Sequence, residues 1–372
     1  MIYADHAATT KLSDTAFQAM LPWLKEEYGN PSQPYSLSRK PKKAVSEARE
    51  IIASCIHAKP EEIYFTSGGT ESDNWAIKGT ALAKGRRGTL LTSAFEHHAV
   101  LRACESTHAL DWGVNYVSPN TDGIVTMEAL KNKLTDETQM VSIMLANNEL
   151  GTIQPIRSLA GIVRRNGALF HTDAVQAVGH IPIDVEELGV DMLSASAHKF
   201  NGPKGVGFLY IKEGTPIVPI ENGGSQEFGM RAGTENVAGI VGMAAALQEN
   251  VSRLKESQRY LRGLEDRLLS QLGIVDFIQH CSDQNHLPGV LSLSFPGYDG
   301  EAILHRMDLM GICISTGSAC DSKRTVISHV LQAIKLPEED AKGTIRISLG
   351  VENTEEEMDH VAVALKRIVL HR

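Results

Sequence analysis

Cysteine is scarce and unpatterned in this chain: Cys55, Cys104, Cys281, Cys313 and Cys320 are the only five in 372 residues. No Cys-x-x-Cys pair and no cysteine–histidine spacing marks a zinc site, and an odd, sparse set does not build a disulfide framework. The pattern fits a reducing compartment in which most thiols lie in the core and one is reactive. Long apolar runs are missing too. None approaches the ~18 residues that span a bilayer, so the sequence excludes a membrane-embedded chain. Basic charge is in deficit: a formal net charge of −9 works against nonspecific binding to nucleic acid or anionic lipid, both of which need excess Lys and Arg. Local basic clusters remain at 39–43 and 84–87. The amino terminus has no basic region followed by an apolar stretch and no transit-peptide composition, which makes the cytoplasm the expected location. Internal repeats and low-complexity segments are likewise lacking.

What is present is a soluble globular composition, 42% hydrophobic and 22% charged, on a chain long enough for about two domains. From Ser13 to Lys255, short apolar runs alternate with helical periodicities, the signature of an α/β fold built on a mostly parallel sheet. Ala44, Val45, Ala48, Ile51, Ile52, Cys55 and Ile56 recur at three and four residues and predict one helix face, with Cys55 as inert core. Strand-like runs fall at 62–66, 89–93, 140–145, 168–171, 192–196 and 205–210. After a polar, helical stretch at 248–272 the pattern changes to strands at 290–295 and 345–349 with helices at 301–310 and 354–370. This change predicts a second, smaller α+β domain, and Cys313, between Ile312 and Ile314, reads as a strand core residue.

The chemistry-bearing residues cluster at the ends of the predicted strands, where open α/β sheets bind ligands. Lys199 follows the apolar run 192–197 and precedes a glycine-rich loop. A lysine there loses solvation, and its neutral amine can form a Schiff base with an aldehyde cofactor; an ordinary solvated loop lysine is the alternative. Asp173 ends another apolar run. A carboxylate at that point can hold a pyridine nitrogen protonated, or serve as a helix cap or turn residue. The run 67–73, Ser-Gly-Gly-Thr-Glu-Ser-Asp, joins a strand to a helix, with Thr70 and Asp73 spaced as a capping box and two glycines that let the backbone approach a phosphate. Arg346 sits in an apolar strand, where an unpaired guanidinium is costly, so either a substrate carboxylate or a structural Asp or Glu must face it. Cys320, among the small polar residues of 315–324, belongs to an exposed loop. Its thiol, with a pKa of about 8.5 when unperturbed, would gain reactivity from Lys323, Arg324 or an imidazole.

These residues fall within ordered motifs: Asp5-His6-Ala7-Ala8-Thr9-Thr10, Gly29-Asn30-Pro31-Ser32, Ser67–Asn74, Glu96-His97-His98, Asn147-Asn148-Glu149, Thr172-Asp173-Ala174-Val175-Gln176, the Lys199 segment, Arg231-Ala232-Gly233-Thr234, Ser315–Cys320 and Ile345–Gly350. The set covers nearly the whole chain and resembles the class V aminotransferase-type pyridoxal phosphate enzymes, within them the cysteine desulfurases of the NifS/IscS kind. The resemblance implies fold type I: a large cofactor-binding domain, 13–256, on a mostly parallel seven-stranded sheet, and a small domain of 1–12 and 257–372 that carries the Cys320 loop. It implies pyridoxal 5'-phosphate as cofactor, held by Lys199, Gly69, Thr70, His97, Asp173, Gln176, Ser196, His198 and, across a homodimer interface, Thr234. Arg346, Asn148 and Asn30 would bind the substrate carboxylate. His97 would stack on the cofactor ring and move protons with Lys199.

Cys320 would take the sulfur of L-cysteine as a persulfide, leaving L-alanine. A sulfur-acceptor protein, a cluster scaffold or a thiolation enzyme, would receive it, with no membrane, direct nucleic acid or metal involved. In relatives that serve a cluster scaffold the chain extends further beyond the final helix, which weakens the tie to such a partner. Phe228 stands where relatives often have Arg, in a loop that otherwise reads as a flexible connector. The alternatives are another pyridoxal phosphate reaction on the same fold, for which Cys320 is dispensable, and a non-catalytic sulfur-relay subunit, against which Lys199 and Asp173 both argue.

Overall fold

In the computed structural model, which describes residues 1–85, 87–280, 285–316 and 327–370, alternating apolar residues become the two faces of one central sheet. Strands are numbered along the chain: β1 Ile2–Tyr3, β2 Ile63–Thr66, β3 Thr89–Ser93, β4 Gly113–Val117, β5 Thr138–Ser142, β6 Leu169–Asp173, β7 Met192–Ser196, β8 Gly207–Ile211, β9 Ile278–His280, β10 Val290–Ser294, β11 Ile312–Cys313 and β12 Thr344–Ser348. The large sheet has seven strands in the order β2-β8-β7-β6-β5-β3-β4. Only β8 runs against its neighbours; the other pairings are parallel.

Side chains alternate across a strand, so neighbouring residues enter different cores. Leu91, Val141, Phe170, Leu193 and Phe208 pack into one cluster beneath helices Arg39–Cys55, Ile156–Asn166 and Val237–Ser252. Leu90, Met140, Met192 and Leu209 pack into another with Trp75, Ala103 and Trp112. Burial on both faces explains why these strands read as continuous apolar runs. Helix Arg39–Cys55 buries Ala44, Val45, Ala48 and Ile52, the stripe its periodicity predicts. Cys55 is half-buried against the same core, and desolvation pushes its thiol up to about 11, an inert group as expected.

A third cluster, with Ala4, Leu264, Leu268, Leu293, Ile347 and Leu365 among its members, backs the antiparallel sheet β12-β10-β9 with helices Leu254–Gln271 and Glu355–Leu370. The chain's start joins it through the parallel pair β1–β11, where Tyr3 lies opposite a half-buried Cys313. The stretch 248–272 is not one continuous helix: it spans the end of Val237–Ser252 and all of Leu254–Gln271, which meet at Arg253 with φ −108° and ψ 7°. Among the described residues no helix is long and apolar enough to cross a membrane.

Candidate active site

Because β2, β3, β5, β6 and β7 share one direction, their carboxyl ends lie along one edge of the sheet, and each delivers a motif there. β2 leads to Gly68-Gly69, β3 to Glu96-His97, β6 ends on Asp173 and β7 on Ser196, one short turn before Lys199. A cavity of about 650 Å³ opens at this edge, lined by Gly69, Thr70, His97, Asp173, Gln176 and Ser196 together with His198, Lys199, Asn148 and Arg346. Predicted residues from every part of the chain therefore meet in one place. Three do not. Asn30 and Thr234 are not among the lining residues: Asn30 Oδ1 accepts from the Ser32 N–H at 2.9 Å in a local turn, and Thr234 is exposed. Cys320, with Lys323 and Arg324, lies outside the described residues.

Lys199 ends the short turn Ala197–Lys199, and its Nζ donates to the carbonyls of Ala7 at 2.7 Å and Ala8 at 2.9 Å. Gln176 Nε2 donates to the same Ala7 carbonyl at 3.0 Å, so the amino-terminal segment forms one wall of the site. Asp173 is buried, with Oδ1 accepting from the Val175 N–H at 2.9 Å. Burial raises its pKa, while His97, the Val175 N–H and Lys199 oppose that rise. His97 caps helix His98–Ser106, its Nδ1 accepting from the Ala99 N–H at 3.1 Å. That bond fixes the neutral ring as the Nε2–H tautomer. Burial lowers the His97 pKa, and nearby Asp173 works in the opposite direction. His198 lies 3.1 Å from Thr9 Oγ1 through Nδ1, and burial, followed by the Lys199 charge, brings its pKa down to about 4.

Arg346 projects from β12 with Nη2 donating to Asp5 Oδ1 and Nη1 to the Asn148 carbonyl, both at 2.8 Å. The structural carboxylate is therefore present, and the guanidinium also lines the cavity with its buried Nε lacking a partner among the described residues.

One expectation is corrected. Thr70 and Asp73 form no capping box: helix Gly69–Asn74 begins two residues earlier, after Gly68 at φ +146°, and Glu71 reaches back to the Ser67 N–H at 2.7 Å. The helix buries Gly69, Ser72 and Asp73, an i, i+3, i+4 face whose spacing carried the signal that the capping assignment obscured. Asp73, read from sequence only as a cap, lines the cavity with Glu149, Ser328, His329 and Met144, to which the sequence assigns no role. The His98 and His329 rings lie 4.6 Å apart.

Gly207, between Thr66 and Ser196 in the sheet, permits the closest backbone approach in the site. A Cβ there would stand 2.4 Å from the Ala195 carbonyl and 2.7 Å from Gly68 Cα. Gly207→Ala is expected to cost about 1–3 kcal/mol through overpacking and to weaken cofactor retention by displacing the Gly68 turn. Urea unfolding and a fluorescence titration with the cofactor check both effects.

The fold and this lysine–carboxylate–histidine site define a class of enzyme, the pyridoxal phosphate enzymes of class V. The class-V aminotransferase family model matches residues 2–361, and the chain belongs to that family. It is similar to the cysteine desulfurase IscS of Dictyoglomus turgidum, at 47% identity over 371 residues covering 99% of this chain and 94% of that protein. Among solved structures, a NifS-like protein matches with a TM-score of 0.94 at 39% identity over the full length of both chains. A NifS-like protein from Rickettsia africae matches at 0.88, with 32% identity over 99% of each.

The residues present fit the family's cofactor. Gly68 and Gly69 form a cradle in which a Cβ on Gly69 would lie 2.6 Å from Val175 Cγ2. The N–H groups of the first helical turn have no intrahelical acceptor, and Ser196 stands beside them. An amine, a buried carboxylate and an imidazole line the same cavity.

Proposed function

We propose that the chain is a pyridoxal-phosphate-dependent cysteine desulfurase, which converts L-cysteine to L-alanine and transfers the sulfur to Cys320 for delivery to an acceptor protein. The observation that carries this reading is the convergence of Lys199, Asp173 and His97 in one cavity, on a chain 47% identical to a cysteine desulfurase. Gly69, Thr70, Ser196 and His198 would hold the cofactor phosphate, with Thr234 added from a second subunit. Asp173 would face the ring nitrogen, His97 the ring and Gln176 the phenolic oxygen. Bound there, the cofactor supplies an electron sink that makes the substrate Cα–H acidic.

The protein's own residues do the rest. The Arg346 fork, held by Asp5 and the Asn148 carbonyl, orients the substrate carboxylate, with the Asn148 side chain beside it and Asn30 assigned to the same group. Lys199 Nζ takes the Cα proton, and with His97 it redistributes protons within the site. The Cys320 thiolate attacks the substrate sulfur. The S–S bond forms as the substrate C–S bond breaks, so L-cysteine and the thiol become L-alanine and a Cys320 persulfide.

A homodimer is part of this reading. Phe17, Leu21, Leu24, Tyr28 and Tyr35 are exposed along 14–35, with Tyr28 at 74%, and Thr234 stands outside its own cavity. The acceptor is a cluster scaffold or a thiolation enzyme, and the location is the cytoplasm. The third core supports a small domain of 1–12 and 257–372 against a large domain of 13–256, with Leu287, Val330, Leu331 and Ile334 packing from the former onto the core of the latter.

The test is alanine and protein-bound persulfide formation from L-cysteine by the wild type and by Cys320→Ser, both loaded with cofactor. Loss of both products with the cofactor still bound is the expected result. Undiminished turnover would remove Cys320 from the reaction and favour a lyase or transaminase on the same scaffold.

A further inference from the structure

Asp73 is a buried carboxylate that the reaction above does not use. Only 1% of its surface is exposed, and one of its oxygens, one of Asp173 and one ring nitrogen of His97 lie within 4.8 Å of one another. Two carboxylates this close in a desolvated space do not both ionise unless each has its own cation. The groups that favour a charged carboxylate serve Asp173: the Lys199 amine and the His97 ring both act on it. On the side of Asp73 stands His171, whose Nε2 is 3.7 Å from Asp73 Oδ1. That imidazole is fully buried between two hydroxyls, Ser142 Oγ at 2.8 Å and Ser194 Oγ at 2.9 Å. Burial brings its pKa down to about 3, so it is neutral and offers no countercharge. Glu96, a further buried carboxyl whose own pKa burial pushes up to about 8, offers no countercharge either, and Asp73 Oδ1 has no hydrogen-bond partner among the described residues.

We propose that Asp73 is a positioning residue that carries a proton at neutral pH, so that the Asp73–Asp173 pair holds a single negative charge, seated on Asp173 where His97 and Lys199 face it. A second charge at Asp73 would repel the first and draw His97 away from its cap. The neutral acid fills the same volume and leaves one carboxylate to meet the ring nitrogen. Burial, then the Asp173 charge, raises the Asp73 pKa well above the ordinary carboxylate value, with partial relief from the Ser194 hydroxyl.

The inference rests on reading Asp173 as the ring-nitrogen partner, but its test uses cofactor-free protein and stands apart from that reading and from desulfuration. The first readout is infrared: the wild type at pH 7 should show a protonated-carboxyl C=O band that is missing from Asp73→Asn. The second is folding stability against pH. A group whose folded pKa is raised keeps its proton in the native state while the unfolded chain releases it, so stability falls as pH rises above the unfolded value. The folding constant of the wild type relative to Asp73→Asn should therefore fall about tenfold per pH unit between pH 5 and 7. A purely structural Asp73 gives a ratio independent of pH, and an ionised Asp73 leaves wild type and Asp73→Asn with the same protonated-carboxyl bands, Glu96 contributing equally to both; either result overturns the proposal. If the amide variant does not fold, Asp73→Ser, smaller and also neutral, is read in the same two ways.

Discussion

Replacing Lys199 by alanine should abolish alanine release from L-cysteine, with kcat lowered by at least about 10²–10⁴-fold, the contribution of one well-placed proton-transfer group. In the proposed function the amine has two roles, anchoring the cofactor aldehyde and moving the Cα proton, so loss of the whole side chain would remove both. Nζ is held by the Ala7 and Ala8 carbonyls at 2.7 and 2.9 Å, a position set by β7 on one side and the chain's first residues on the other. Lys199→Arg should not restore turnover, because guanidinium stays protonated across the working pH range. Product analysis after a single turnover checks the loss, and the cofactor absorption spectrum shows whether the variant still binds it. A variant retaining a tenth of wild-type turnover would remove Lys199 from the reaction.

Arg49→Ala should produce the largest loss of stability, about 3–5 kcal/mol, because it leaves a buried carboxylate unpaired. Arg49 and Glu227 meet through two hydrogen bonds, 2.6 Å from Nη2 to Oε1 and 2.8 Å from Nη1 to Oε2, with side chains only 9% and 4% exposed. Glu227 also accepts the Phe65 N–H at 2.9 Å, and Arg49 lies 4.4 Å from the Phe65 ring centroid and 5.1 Å from that of Phe228. This pair pins the 223–229 loop to the start of the sheet, so the segment that reads as a flexible connector is anchored, and Phe228 packs on the cation beneath it. Urea unfolding should show the reduced midpoint in Arg49→Ala and a partial recovery in Arg49→Met combined with Glu227→Gln, which removes both charges. An unchanged midpoint in the single variant would show that the pair contributes nothing net.

Much of the fold was legible because burial leaves a period in the sequence. β3 and β7 lie where their apolar runs place them, and helix Arg39–Cys55 buries the predicted stripe. β4 was not legible: it is an edge strand, its residues Gly113, Asn115 and Tyr116 are exposed, and no apolar run marks it. Within the site, Lys199, Asp173 and His97 were legible because each stands at the end of an apolar run or the start of a helix. Asp73 was misread as part of a cap, since its spacing to Thr70 satisfies a local rule while its burial depends on β6 and β7, far along the chain.

The division between sequence and fold follows the range of the forces involved. Periodicity and residue type, which act over a few neighbours, determined which segments are helices and strands and which ends carry an amine, a carboxylate or an imidazole. The pairing of those groups was decided only when distant segments packed. Asp5 meets Arg346 across 341 residues, and Glu227 meets Arg49 across 178. The carbonyls of Ala7 and Ala8 take hold of Lys199 from the other side of the cavity. Charge state was decided at the same stage, because desolvation depends on everything that surrounds a group, and no local pattern distinguishes a carboxylate that meets a cation from one beside it that does not.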